Sequence, residues 1–269
     1  MSAPIGVFDS GMGGLTVMRA LMARLPQESF LYLGDTARLP YGTKSVDTVR
    51  RYAIQASTAL VARGVKLLVV ACNTASVSLP ALKHALEPLP VIGVIEPGAH
   101  AALAAAPAGP IAIIATEGTV KGGAYRSAIR AQGSSVPIVQ QACPLFVPLT
   151  EEGLVDGPIV EAIVHRYLDP LLATVPRPKC LLLGCTHYPA LKAVIARIAG
   201  PDIALVDSAV TTADAVAALL EARDMANRDG THTLKFLATD APDRFARVGE
   251  VFLGQPIDPG LVELIDLQS

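Results

Sequence analysis

Tryptophan is absent from this chain of 269 residues, and aromatic side chains make up only 4% of it. So small an aromatic complement offers no platform on which nucleic-acid bases would stack. Basic residues are not in excess either: 22 Lys and Arg stand against 24 Asp and Glu, a net charge of -2. Without a phosphate-neutralising surplus, nucleic-acid binding is excluded as the main function. Charged residues amount to 17% and hydrophobic ones to 51%, a balance that disordered chains do not have. Long apolar runs are also missing. The longest charge-free apolar stretch, Ala101 to Ala115, is broken by Pro107, Gly109 and Pro110 and falls short of the roughly 20 residues of a spanning helix. No membrane partner is therefore expected. Cysteine occurs only four times, too few for a disulfide framework in a chain this long. The thiols read as free, in a reducing cytoplasm. The opening Met1-Ser2-Ala3-Pro4 lacks the positive charge of a secretory leader, which points to the same cytoplasmic location.

Short aliphatic runs alternate with longer helical patterns almost from end to end. Strands are expected at Ile5-Phe8, Phe30-Leu33, Leu67-Ala71, Val91-Val94, Ile111-Ala115, Pro137-Val139, Cys180-Leu183, Ile203-Val206 and Leu234-Leu237. Their unbroken apolar character suits strands covered on both faces. Helix starts are marked by Ser45, by Asp156 with Pro158, by Ser208, and by Asp240 with Pro242. Repeated strand–helix units predict an α/β chain built on mostly parallel sheets.

The chain also repeats itself. LVVACNTASVSLPALK from Leu68 and LLLGCTHYPALK from Leu181 share a strand, a Cys, a Thr and a closing Pro-Ala-Leu-Lys. A weaker match pairs Ile5-Gly6-Val7-Phe8 with Ile111-Ala112-Ile113-Ile114. Two similar α/β domains facing one another are expected. The Ala-, Pro- and Gly-rich stretch Ala99-Pro110 is expected to be the first crossing, and the second falls near Val206-Ala209. The first domain then comprises 1–98 plus 208–269, and the second 99–207.

Ligands of open α/β sheets bind at the carboxyl ends of strands, and four such loops carry polar or reactive groups. They are Asp9-Ser10-Gly11-Met12-Gly13-Gly14, Gly34-Asp35-Thr36 through Tyr41-Gly42, Cys72-Asn73-Thr74, and Cys185-Thr186-His187. The glycines of the first follow neither the dinucleotide nor the P-loop pattern. Cys72 and Cys185 occupy equivalent loops, at expected helix starts that favour the thiolate. Cys180, inside an apolar run, and Cys143 read as core residues. Cys180, Cys185 and His187 lack zinc-ligand spacing, so no metal is expected. Two thiols on opposite sides of a bound carbon acid can invert its centre, one removing a proton and the other returning one. Ser10, Asn73, Thr74 and Thr186 are suitable donors for carboxylates. Asp9 and His187 are placed to tune the thiols, and the adjacent Glu151 and Glu152 read as a solvated acidic face.

The motifs FDSGMGGLTV from Phe8, GDTARLPYG from Gly34, ACNTAS from Ala71, TVKGGAY from Thr119 and GCTHYP from Gly184 together resemble the glutamate racemase family, in order and over most of the chain. The resemblance implies two pseudo-twofold related α/β domains with the active site in the interdomain cleft, interconversion of L- and D-glutamate without a cofactor, supply of D-glutamate for bacterial peptidoglycan, and a homodimer. It implies that Cys72 acts on the D-enantiomer and Cys185 on the L-enantiomer. Asp9 and Ser10, Tyr41 and Gly42, Asn73 and Thr74, and Thr186 and His187 match the substrate-binding pairs. Asp9 is implied to assist Cys72, and His187 with Glu152 behind it to assist Cys185. Asp35 and Thr119 are further candidates beside the site. Gly122 departs from the pattern, standing where many members carry Ser. Against an aspartate racemase stands His187, where those enzymes typically carry Glu. A two-lobed binding protein leaves the paired thiols without purpose, and a dithiol redox enzyme lacks a Cys-x-x-Cys motif.

Overall fold

The computed structural model describes residues 3–228 and 231–267; Met1 and Ser2 of the amino-terminal motif lie outside them. The strands are β1 (Ile5–Asp9), β2 (Phe30–Gly34), β3 (Leu67–Val70), β4 (Val91–Gly93), β5 (Ile111–Ala115), β6 (Ile138–Ala142), β7 (Cys180–Gly184), β8 (Ala204–Asp207), β9 (Leu234–Ala238) and β10 (Val262–Leu264). They form two parallel sheets, one of six strands in the order β10-β9-β2-β1-β3-β4 and one of four in the order β6-β5-β7-β8. The run β2-β1-β3-β4 reappears strand for strand as β6-β5-β7-β8, which is the repeat in three dimensions. Ile5 pairs with Leu67 in one sheet and Ile111 with Cys180 in the other. The central strands β1, β2, β3, β5 and β7 are buried along their whole length, as strands covered by helices on both faces must be.

Two expectations need correction. The stretch Ala99-Pro110 is not one irregular crossing: helix Ile95–Ala105 covers its first half and packs on the four-stranded sheet, so residues 106–110 only join that helix to β5. Alanine is the best helix former, and the breakers Pro107, Gly109 and Pro110 all lie beyond the helix end. Strand β6 runs later than expected, to Ala142, because Gln140 and Gln141 are compatible with an edge strand that is only half-buried. Strand β10 was not legible, being three residues long with two of them exposed.

Apolar side chains gather in clusters on the two faces of each sheet. Helix Ile95–Ala105 packs on the four-stranded sheet through Ile95, Ala99 and Ala102. Helix Ser208–Ala222 follows β8 directly and returns the chain to the six-stranded side, placing Ala213, Val216 and Leu220 in the cluster with Leu15 and Met18. Its start is capped by Asp207, whose Oδ1 accepts from Ala209 N–H at 3.1 Å. Gly122 explains itself by packing: a Cβ there would come within 2.6 Å of Val77 Cγ1, so a Ser at this position needs a smaller neighbour. Among the described residues no helix is long and apolar enough to cross a membrane.

Candidate active site

Both sheets point the carboxyl ends of their strands at one cleft. Ser10, Gly11, Tyr41, Gly42, Cys72, Asn73 and Thr74 line it from the six-stranded side, and Thr116, Val147, Glu151, Cys185, Thr186 and His187 from the other. It encloses about 90 Å³, room on the order of six water molecules. Among the described residues no Lys or Arg lines it, so a bound carboxylate would rest on hydroxyl, amide and backbone N–H donors.

Cys72 follows β3 and caps helix Asn73–Ser76, where its sulfur accepts from Ala75 N–H at 3.4 Å. Its thiol donates to Ser10 Oγ at 3.5 Å. The expected thiolate-favouring effect of the helix start is overridden. Burial, reinforced by the Asp9 carboxylate, pushes the Cys72 thiol up to about 12. The helix is one turn long, and its dipole is too small to offset desolvation.

Cys185 follows β7 in the matching position, with its sulfur 3.9 Å from His187 Nδ1. The ring's other nitrogen, Nε2, lies 3.2 Å from Glu151 Oε1. Burial opposes a charge on this ring, but the hydrogen bonds with Cys185 and Glu151 and the nearby Asp9 outweigh it and push His187 up to about 10. Burial alone would raise Glu151, yet its bonds to His187 and Arg244 hold it below the usual carboxylate range. Asp9 is fully buried at the end of β1. Its Oδ2 accepts from Gly11 N–H at 2.9 Å, but desolvation still raises its pKa.

The partner of His187 is therefore Glu151, not Glu152. Glu151 lies four residues after Val147 on helix Phe146–Glu151, and both line the cleft, while Glu152 falls past the helix end and is exposed. Neither Asp35 nor Thr119 is among the residues lining the cleft. Asp35 is buried beneath it, accepting from Tyr41 Oη, from Arg38 Nε at 2.7 Å and from Thr239 Oγ1 at 2.9 Å. It thus anchors the Tyr41-Gly42 turn. Thr119 joins a hydroxyl cluster with Thr74, 3.3 Å away, and Thr116, 3.1 Å away. Thr116, Arg244 and Phe252 were missed, having no motif around them. Asn73 Oδ1 accepts from Tyr125 Oη at 2.6 Å, which leaves its Nδ2 buried without a protein partner. All four cysteines are free, with Cys143 and Cys180 fully buried. Among the described residues no three His, Cys, Asp or Glu side chains are grouped to hold a metal ion.

A sulfur thus stands on each wall of one small cleft between two duplicated parallel sheets. The model of the Asp/Glu/Hydantoin racemase family matches residues 5–216. The glutamate racemase of Syntrophus aciditrophicus is 48% identical over 265 residues, covering 98% of this chain and 97% of that protein. The solved glutamate racemase of Francisella tularensis in complex with D-glutamate superposes with a TM-score of 0.92 at 36% identity, covering 99% of this chain and 98% of the other. That of Thermus thermophilus in complex with beta-chloro-D-alanine gives 0.88 at 44%, with the same coverage. The chain belongs to the Asp/Glu/Hydantoin racemase family and is an amino-acid racemase.

Proposed function

We propose that this racemase interconverts L- and D-glutamate by proton transfer between two thiols, without a cofactor. The observation that carries this is the placement of Cys72 and Cys185 in equivalent loops on opposite walls of the same cleft.

The substrate's carboxylates rest on donors from the Ser10, Gly42, Asn73, Thr74 and Thr186 region. The sulfur of Cys185, as thiolate, takes the proton from Cα on one face, and His187, held by Glu151, is positioned to exchange a proton with that sulfur. The electron pair of the broken C–H bond moves into the α-carboxylate, where the cleft donors stabilise the added charge. Cys72, held as a thiol by burial and by Asp9, gives its proton to the opposite face. The centre is inverted, and the two sulfurs have exchanged protonation states. In the reverse direction their roles exchange. By the family resemblance, Cys185 serves the L-enantiomer and Cys72 the D-enantiomer.

The same proposal assigns the units as 1–98 with 208–269 and 99–207, a homodimer in the cytoplasm, and D-glutamate supply for peptidoglycan as the physiological role. Proton NMR of the enzyme with L-glutamate in D2O, without added pyridoxal phosphate, tests the chemistry. Loss of the α-proton signal as D-glutamate accumulates is the expected result. A folded, reduced sample that exchanges aspartate and leaves glutamate untouched would overturn the assignment of substrate.

A further inference from the structure

Arg244 lies in the first turn of helix Pro242–Leu253, far in sequence from either thiol loop. Its Nη2 donates to Glu151 Oε2 at 3.2 Å, across the boundary between the two halves. The other oxygen of the same carboxylate faces His187 Nε2 at 3.2 Å. We propose that Arg244 is a positioning residue: its hydrogen bond across the cleft holds Glu151 on His187, so that the ring is aimed at Cys185 only while the two halves are in contact. This rests on the proton-transfer function proposed above.

The electrostatics of the two helices favour a specific link over a chance surface pair. Glu151 ends helix Phe146–Glu151, where the helix dipole disfavours a carboxylate. Arg244 stands near the start of its own helix, where the dipole disfavours a cation. Each is misplaced on its own helix, and each compensates the other. Glu151 is 9% exposed, so its charge is poorly served by solvent. Two turns beyond Arg244, Phe252 places its ring edge-on to His187 with centroids 4.9 Å apart. One helix of the six-stranded half therefore grips both members of the His187–Glu151 pair. The charged and titratable groups facing the ring are Cys185 and Glu151 from one half and Asp9 from the other.

The test compares Arg244→Met and Arg244→Lys with the wild type. For a racemase kcat/KM must fall equally in both directions, so a rate loss, expected at roughly tenfold to a hundredfold, does not locate the defect. Isotope effects do. With glutamate deuterated at Cα, the primary effect in Arg244→Met should rise for the enantiomer that yields its proton to Cys185 and fall for the other. Arg244→Lys should restore both towards wild type. Independently of turnover, nitrogen-15 NMR of the His187 ring should show its titration midpoint, near 10 in the wild type, falling by about a unit in Arg244→Met as Glu151 loses its fixed position. An unchanged or rising midpoint, or isotope effects that change alike for both enantiomers, overturns the proposal. A wild type that exchanges no proton would sink the functional assignment, and the ring titration would still decide the link.

Discussion

Gly13 and His187 are in direct contact across the two halves: a Cβ on Gly13 would lie 2.3 Å from His187 Nδ1 and 2.5 Å from Thr186 Oγ1. The glycine-rich loop after β1 is thus a seat for the imidazole rather than a phosphate cradle. Gly13→Ala forces the ring or the loop to move. The expected result is a loss of activity of a hundredfold or more with destabilisation of about 1–3 kcal/mol. Steady-state racemisation and urea unfolding measure the two effects, and full activity in the alanine variant would show that the contact is dispensable.

Replacing either sulfur should remove the two-sided chemistry. Cys72→Ser and Cys185→Ser are each expected to lower racemisation by about 10³-fold or more, since a hydroxyl is a far weaker acid than a thiol and does not ionise to serve as the base. The proteins should remain folded, because serine is nearly isosteric. Polarimetry measures the rate, and near-wild-type racemisation by either variant would exclude the two-thiol scheme.

The neighbouring glutamates separate cleanly. Glu151→Gln leaves His187 without its carboxylate and should cost about a hundredfold in kcat. Glu152→Gln alters an exposed side chain and should leave the rate within about twofold. Equal losses in the two variants would indicate that the acidic stretch acts through local folding.

Stability should depend on pH through His187. Its pKa is raised from 6.5 to about 10 in the folded protein, so the folded state binds a proton that the unfolded state releases. The stabilisation is complete below pH 6.5 and is lost as pH rises through 10. Urea midpoints taken across this window should fall more steeply for the wild type than for His187→Gln. Parallel curves would mean that the ring is neutral in the fold.

Much of the fold was legible because it rests on local signals. The apolar runs of β1, β2, β3, β5 and β7 are buried on both faces, so short unbroken aliphatic runs bounded by turn residues identify them. The duplicated Cys-Thr loops locate the two thiols. What stayed hidden depends on contacts between distant segments. The choice between Glu151 and Glu152 turns on which one helix Phe146–Glu151 aims at the cleft, and adjacent identical residues cannot report that. Asp35 is written in a motif yet serves as an anchor for Tyr41, and only its three hydrogen-bond partners reveal this. Arg244 and Phe252 reach the site from the far end of the chain through the return of helix Pro242–Leu253, for which no local pattern exists.

The insertion of β9 beside β2 has a consequence for synthesis. Residues 30–34 leave the ribosome about 200 residues before their neighbour at 234–238, and in the interval β2 presents an unpaired edge. The four-stranded unit, contiguous in sequence, can close while this edge still waits. The helix that grips His187 and Glu151 is made later still. The loops that carry both sulfurs are therefore made well before the helix whose Arg244 and Phe252 meet Glu151 and His187, so these contacts form late.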